Sequence, residues 1–236
     1  MFPLKDNIPS RTFPWVNYSL IIINSLVFLY ELSLGPQLQQ FIQTWGAVPA
    51  RYFWLMEHEP HNYIARYLPI FTSMFLHGGW FHIIGNMWFL YIFGDNVEDR
   101  MGHGRYLLFY LLAGFGASLA HIYINPSSTL PTVGASGAIS GVMGAYFMLY
   151  PFARVLTLIV VFIFVDIIEI PAFFYLAFWV FLQFIQGTAS LFAKQAGGVA
   201  WWAHLGGFVV GAVLVFFFKK PKKKMARVYP DQYFPF

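Results

Sequence analysis

Long apolar runs broken by short polar stretches dominate the chain, and their lengths predict membrane-spanning helices rather than half-buried soluble elements. The first span is expected over residues 14–34, with Pro14 opening it and Gly35-Pro36 closing it. A second follows over 80–99 and a third over 106–124, which Asn125-Pro126 stops. The fourth, 136–150, begins in a Gly/Ala/Ser-rich stretch. The fifth runs over 171–186, with Pro171 in its first turn and Gly187 beyond its end, and the sixth over 199–218. Residues 37–68 break this pattern. Trp45-Gly46-Ala47-Val48-Pro49, Arg51-Tyr52-Phe53-Trp54 and Glu57-His58-Glu59-Pro60 mix aromatics with charges and prolines. Such a mixture suits the membrane interface and argues against a spanning helix. A loop of short helices lying partly in the membrane surface is expected there.

Two stretches resist the simple pattern. The fourth span has 15 residues, which as a helix cover ~22 Å of a hydrocarbon core about 30 Å thick. One of its ends therefore lies at membrane depth, where irregular backbone survives only inside protein or beside water. Residues 154–170 read as a re-entrant or interfacial piece, or as a stretched span, because Asp166, Glu169 and Pro171 crowd the end of an apolar, β-branched run. Charge decides between six spans and seven. With six, both termini share a side that holds eleven of the 14 Lys and Arg residues; Arg51, Arg66 and Lys194 are the three on the other. That asymmetry makes both termini cytoplasmic. A seventh span would put the Lys219–Lys224 cluster outside, so six spans are preferred.

Composition supports the class. Hydrophobic residues make up 58% of the chain and charged residues 10%, with a mean hydropathy of +0.60. Soluble domains carry about 25% charged residues, so the fold class expected is an all-α polytopic membrane protein. Residues 1–13 form a cytoplasmic N-terminus without the pattern of a signal or transit peptide. The basic tail 219–236 reads as an anchor at an anionic cytoplasmic leaflet, and the net charge of +4 is no nucleic-acid signal. The absence of cysteine excludes disulfides and thiol chemistry.

The candidate chemistry lies on three spans. Ser136 sits among Gly134, Gly137 and Gly141 at the start of the fourth; this stretch alone reads equally as a helix-packing surface. His82 and Asn86 are four apart, one above the other on one face of the second. In hydrocarbon such groups face a bundle interior or a watery cavity, and hydrogen bonds to neighbouring helices would by themselves account for them. His204 stands one turn into the sixth span, followed by Gly207 and Gly211. The six-span topology sets these four polar side chains at similar depth in the outer half of the bilayer. Gly137-x-x-x-Gly141 and Gly207-x-x-x-Gly211 permit close backbone approach, which would bring Ser136 within reach of His204 as a nucleophile and its base.

At these residues the chain resembles the rhomboid intramembrane serine proteases. The matching pieces are Trp45-Gly46-Ala47-Val48-Pro49, His82-x-x-x-Asn86, Glu98-x-Arg100, Gly134-x-Ser136-Gly137 and Ala203-His204-x-x-Gly207-x-x-x-Gly211, in the family's order. The resemblance implies a basic six-helix rhomboid domain over residues 14–218. It implies Ser136 as nucleophile, His204 as general base, and His82, Asn86 and the Ser136 backbone N–H as the oxyanion site, with Gly134, Gly137, Gly207 and Gly211 shaping it. The family often places an aromatic on the base four residues after the serine; Ser140 stands there, so an aromatic from elsewhere is expected to take its place. A Ser–His dyad is expected, since Asp166 and Glu169 precede the fifth span on the inner side. No cofactor is implied. No metal is expected either, because His77 and His82 are five apart and the other histidines are scattered. The implied substrates are single-pass transmembrane proteins, cut near their outer end within the lipid bilayer of a prokaryotic cell membrane, with no nucleic-acid partner and no oligomeric state assigned. Two rivals remain: a catalytically silent rhomboid relative that binds membrane proteins, and a channel or transporter with a polar intramembrane pathway.

Overall fold

A computed structural model describes residues 1–161, 164–192 and 199–221. Lys194 and the tail from residue 222 onward, which carry part of the charge asymmetry, lie outside the described residues. The helices are α1 (Trp15–Ser33), α2 (Leu38–Trp45), α3 (Pro49–His58), α4 (Tyr63–Thr72), α5 (Trp80–Met101), α6 (His103–Ile124), α7 (Ser136–Leu149), α8 (Ala172–Phe192) and α9 (Trp201–Phe218). Short helices α2 to α4 fill the aromatic loop between α1 and α5, as the mixed sequence predicts. By length and composition α1, α6, α8 and α9 are each able to cross a membrane.

The bundle is apolar outside and carries its polar groups within. Leu26, Phe81, Phe174, Val209 and Phe217 are exposed, whereas Asn17, Asn24, Glu31, Asn86, Glu98, Gln183 and His204 are buried. This inversion suits a lipid surround, where an unpaired polar side chain on the outside would be costly. Helix α7 is the axis. Every residue from Gly137 to Tyr146 is buried, and α5, α6 and α9 all pack against it. A helix too short to span thus sits for most of its length inside protein, where its irregular entry is protected from lipid. Glu98, fully buried near the end of α5, accepts from the backbone N–H groups of Val16 (3.0 Å) and Asn17 (2.7 Å). It thereby caps the start of α1, whose flanking residue Pro14 offers no side-chain cap.

Three expectations are corrected. Residues 154–170 do not form a spanning helix. They form strands β2 (Arg154–Val161) and β3 (Phe164–Pro171), and the N-terminal segment supplies a third, β1 (Phe2–Asp6). The sheet is antiparallel in the order β1-β2-β3, paired along Phe2↔Leu158 and Val155↔Ile170. Inward Val155 and Thr157 are buried, and β-branched residues on a pleated face explain why this run prefers strand to helix. Pro3 is tolerated because β1 is an edge strand with an irregular register between Pro3 and Lys5. The helical bundle thus carries a small sheet beside it. Helix α8 also continues past Gly187 to Phe192; Trp201 and Trp202 lie against that glycine, so packing holds a helix that propensity alone would end. Finally, the gap expected between the second and third spans, residues 100–105, shrinks to Gly102 alone, whose φ of +83° suits glycine.

Candidate active site

The entry to α7 is built by Gly134. Its φ is +124°, and its N–H donates to the Ser73 carbonyl at 2.9 Å. A side chain there has no room: a Cβ would lie 2.6 Å from His82 Nε2 and 3.5 Å from Asn86 Nδ2. Both side chains of the α5 pair therefore face the turn that precedes Ser136. His82 Nδ1 accepts from the Gly78 N–H at 3.3 Å, which leaves the ring proton on Nε2, the nitrogen nearest Gly134. Asn86 is 8% exposed, and its Nδ2 is buried without a hydrogen-bond partner among the described residues. Helix α7 has no side-chain N-cap, so its first N–H groups add positive potential at the same point.

Glycine-to-glycine packing joins α7 to α9. A Cβ on Gly207 would overlap the Gly137 carbonyl oxygen, and one on Gly211 would overlap the backbone of Gly141. Gly137 also lies beside Ala203, so the residues next to Ser136 and His204 touch across the interface. Ser136 is half-buried and His204 is 9% exposed. The structure brings both residues to one helix interface, and no hydrogen bond joins the Ser136 hydroxyl to the His204 ring in this structure.

Sequence reasoning missed what holds His204. Ser140, in place of the family's aromatic, donates instead to the Ser136 carbonyl at 2.6 Å. The His204 ring lies between aromatics from other positions: Trp179 of α8 is tilted 33° to it at 5.9 Å, and Trp201 meets it edge-on at 6.1 Å. Its Nδ1 is 2.8 Å from Gln183 Oε1, also on α8. The signal available was an amide, one of two in an apolar helix, standing one turn after a tryptophan. His77, weighed in the sequence only as a metal ligand, also belongs to the surroundings of His82. It is buried, its N–H donates to the Glu31 carboxylate of α1, and its ring stands 5.2 Å from His82. Burial, with His82 alongside, lowers the His77 imidazole to about 4, so it remains a neutral wall behind His82. Among the described residues, no three acidic or histidine side chains gather as a metal site.

Comparison with known proteins shows which family the chain is similar to. Residues 65–221 match the family model of the rhomboid domain. The chain is 31% identical over 206 residues to rhomboid-like protein 11, chloroplastic, of Arabidopsis thaliana, covering 84% of this chain and 66% of that one. It is 28% identical over 212 residues to rhomboid protein 1, mitochondrial, of Saccharomyces cerevisiae, covering 88% and 54%. Rhomboid protease GluP of Bacillus subtilis is 33% identical over 135 residues, covering 56% and 24%. The chain thus spans between about half and two thirds of the length of the first two relatives.

Proposed function

The chain belongs to the rhomboid family, and we propose that it is an intramembrane serine endopeptidase cutting transmembrane segments near their outer end. The observation that carries this reading is the convergence of two N–H donors from α5, His82 Nε2 and Asn86 Nδ2, on the turn just before Ser136. Donors aimed at an uncapped helix start are what an acyl-transfer oxyanion requires.

In this mechanism Ser136 Oγ attacks the scissile carbonyl carbon while His204 Nε2 takes its proton. The carbonyl oxygen becomes an oxyanion held by the Ser136 N–H, His82 Nε2–H and Asn86 Nδ2–H. As it collapses, the C–N bond breaks and His204 returns the proton to the leaving amine. A water molecule then attacks the acyl-serine, losing its proton to His204; the bond from the acyl carbon to Ser136 Oγ breaks, His204 returns that proton to Oγ, and the new carboxyl end leaves. The glycines at 134, 137, 207 and 211 bring the parts close enough to act together. The six spans, with both termini cytoplasmic, and single-pass transmembrane substrates belong to the same proposal.

The chain is an integral membrane protein. The relatives are named as chloroplastic and mitochondrial, and one is bacterial, so the expectation of a prokaryotic cell membrane is not carried further. The test is cleavage of a transmembrane reporter by the purified full chain in lipid. The unaltered protein should cut it, and Ser136→Ala should not while keeping its fold. Full cleavage by pure Ser136→Ala protein would refute the proposal.

A further inference from the structure

We propose that Gln183 is the positioning residue that fixes the working tautomer of His204, a proposal that rests on His204 being the base. A neutral imidazole has one donor and one acceptor nitrogen. For Nε2 to take a proton from Ser136, the ring's own proton must sit on Nδ1. Gln183 Oε1 lies 2.8 Å from that atom, with Gln183 6% and His204 9% exposed. An amide oxygen is an acceptor only, so it selects Nδ1–H and leaves the Nε2 lone pair free.

The aromatic contacts do not make this selection. Trp179 and Trp201 flank the ring, but a ring turned over within its plane would meet both equally well. The hydrogen bond breaks the degeneracy, because a flipped ring would present carbon to Gln183. Ser140 has no part in it, its hydroxyl being engaged with the Ser136 carbonyl. A neutral amide performs this task without placing an ionised group inside the bundle, where an unpaired charge is costly. The consequence is structural as well as chemical. The nucleophile is on α7, its base on α9, and the residue that sets the base on α8, so three helices must keep register for the dyad to work.

The test uses the full chain in lipid nanodiscs. Nitrogen NMR of His204, assigned by its loss in His204→Ala, should show the proton on Nδ1. Gln183→Leu should give mixed tautomers, should lower kcat on a transmembrane reporter by about 10²-fold with KM unchanged, and should slow fluorophosphonate labelling of Ser136 alike. Gln183→Glu keeps an acceptor oxygen but brings a carboxyl into the bundle, and should recover part of the labelling rate. A proton on Nε2 in the unaltered protein, or an unchanged tautomer and labelling rate in Gln183→Leu, would overturn the proposal. If Ser136 of the unaltered protein takes no label, the protease reading falls, while the tautomer measurement still decides the role of Gln183 by itself.

Discussion

At the scale of single residues, the site is a set of donors waiting for an acceptor. Asn86 Nδ2 is buried without a partner among the described residues, and an unmet buried donor costs about 1–3 kcal/mol. A charged intermediate beside Gly134 would repay that cost when it forms. His82→Ala and Asn86→Ala should therefore each lower kcat by about 10²–10³-fold with little change in KM. Steady-state cleavage of a reporter decides this; a KM effect alone would make the pair part of substrate binding. Ser136, His82, Asn86 and His204 were legible as candidates in the sequence because polar groups stand out in apolar spans. Trp179 and Gln183 were not. They lie more than 20 residues from His204 in a helix whose pattern gives no face, and only packing shows that they reach the ring.

At the scale of elements, α7 and α9 meet backbone to backbone. Gly207 and Gly211 face Gly137 and Gly141 with no space for a side chain. Gly207→Val should force the helices apart, lowering stability by about 1–3 kcal/mol and abolishing cleavage. Unfolding in mixed micelles measures the first, and a variant with unchanged stability would refute this packing account. The helices themselves were readable from apolar run length and from Pro and Gly punctuation. The sheet was not, for a physical reason. A continuous run such as Val155 to Val165 has no alternation, and length and composition alone do not separate a strand pair from a buried helix. The pairing of β2 with the N-terminal β1 is a contact across some 150 residues that no local pattern encodes. The end of α8 was misplaced because Gly187 looks like a stop until Trp201 and Trp202 are seen against it.

At the scale of the whole molecule, one carboxylate ties the sheet to the bundle. Asp6 of β1 accepts from the Tyr146 hydroxyl of α7 and from Asn96 Nδ2 of α5, at 3.0 Å in the latter case, and Asp95 shares that amide. Burial raises the Asp6 carboxyl above its ordinary 3.8, with the Tyr146 hydrogen bond opposing the shift. The folded state therefore holds its proton more tightly than the unfolded chain does. That contribution to stability is complete below 3.8 and is lost as pH rises through the raised value. Asp6→Asn should remove this slope, and its stability relative to the unaltered protein should improve toward neutral pH. Denaturation followed across that range checks it, and parallel curves would show that Asp6 does not titrate in this way.

The central claim is that the helix interface of α7 and α9 activates one serine. Labelling of the purified chain in lipid by a fluorophosphonate, with the modified residue located by mass spectrometry, tests it most directly. The account predicts a single adduct on Ser136, absent in Ser136→Ala and lost in a folded His204→Ala. An unlabelled Ser136 in the folded protein, or labelling that persists without His204, would contradict it.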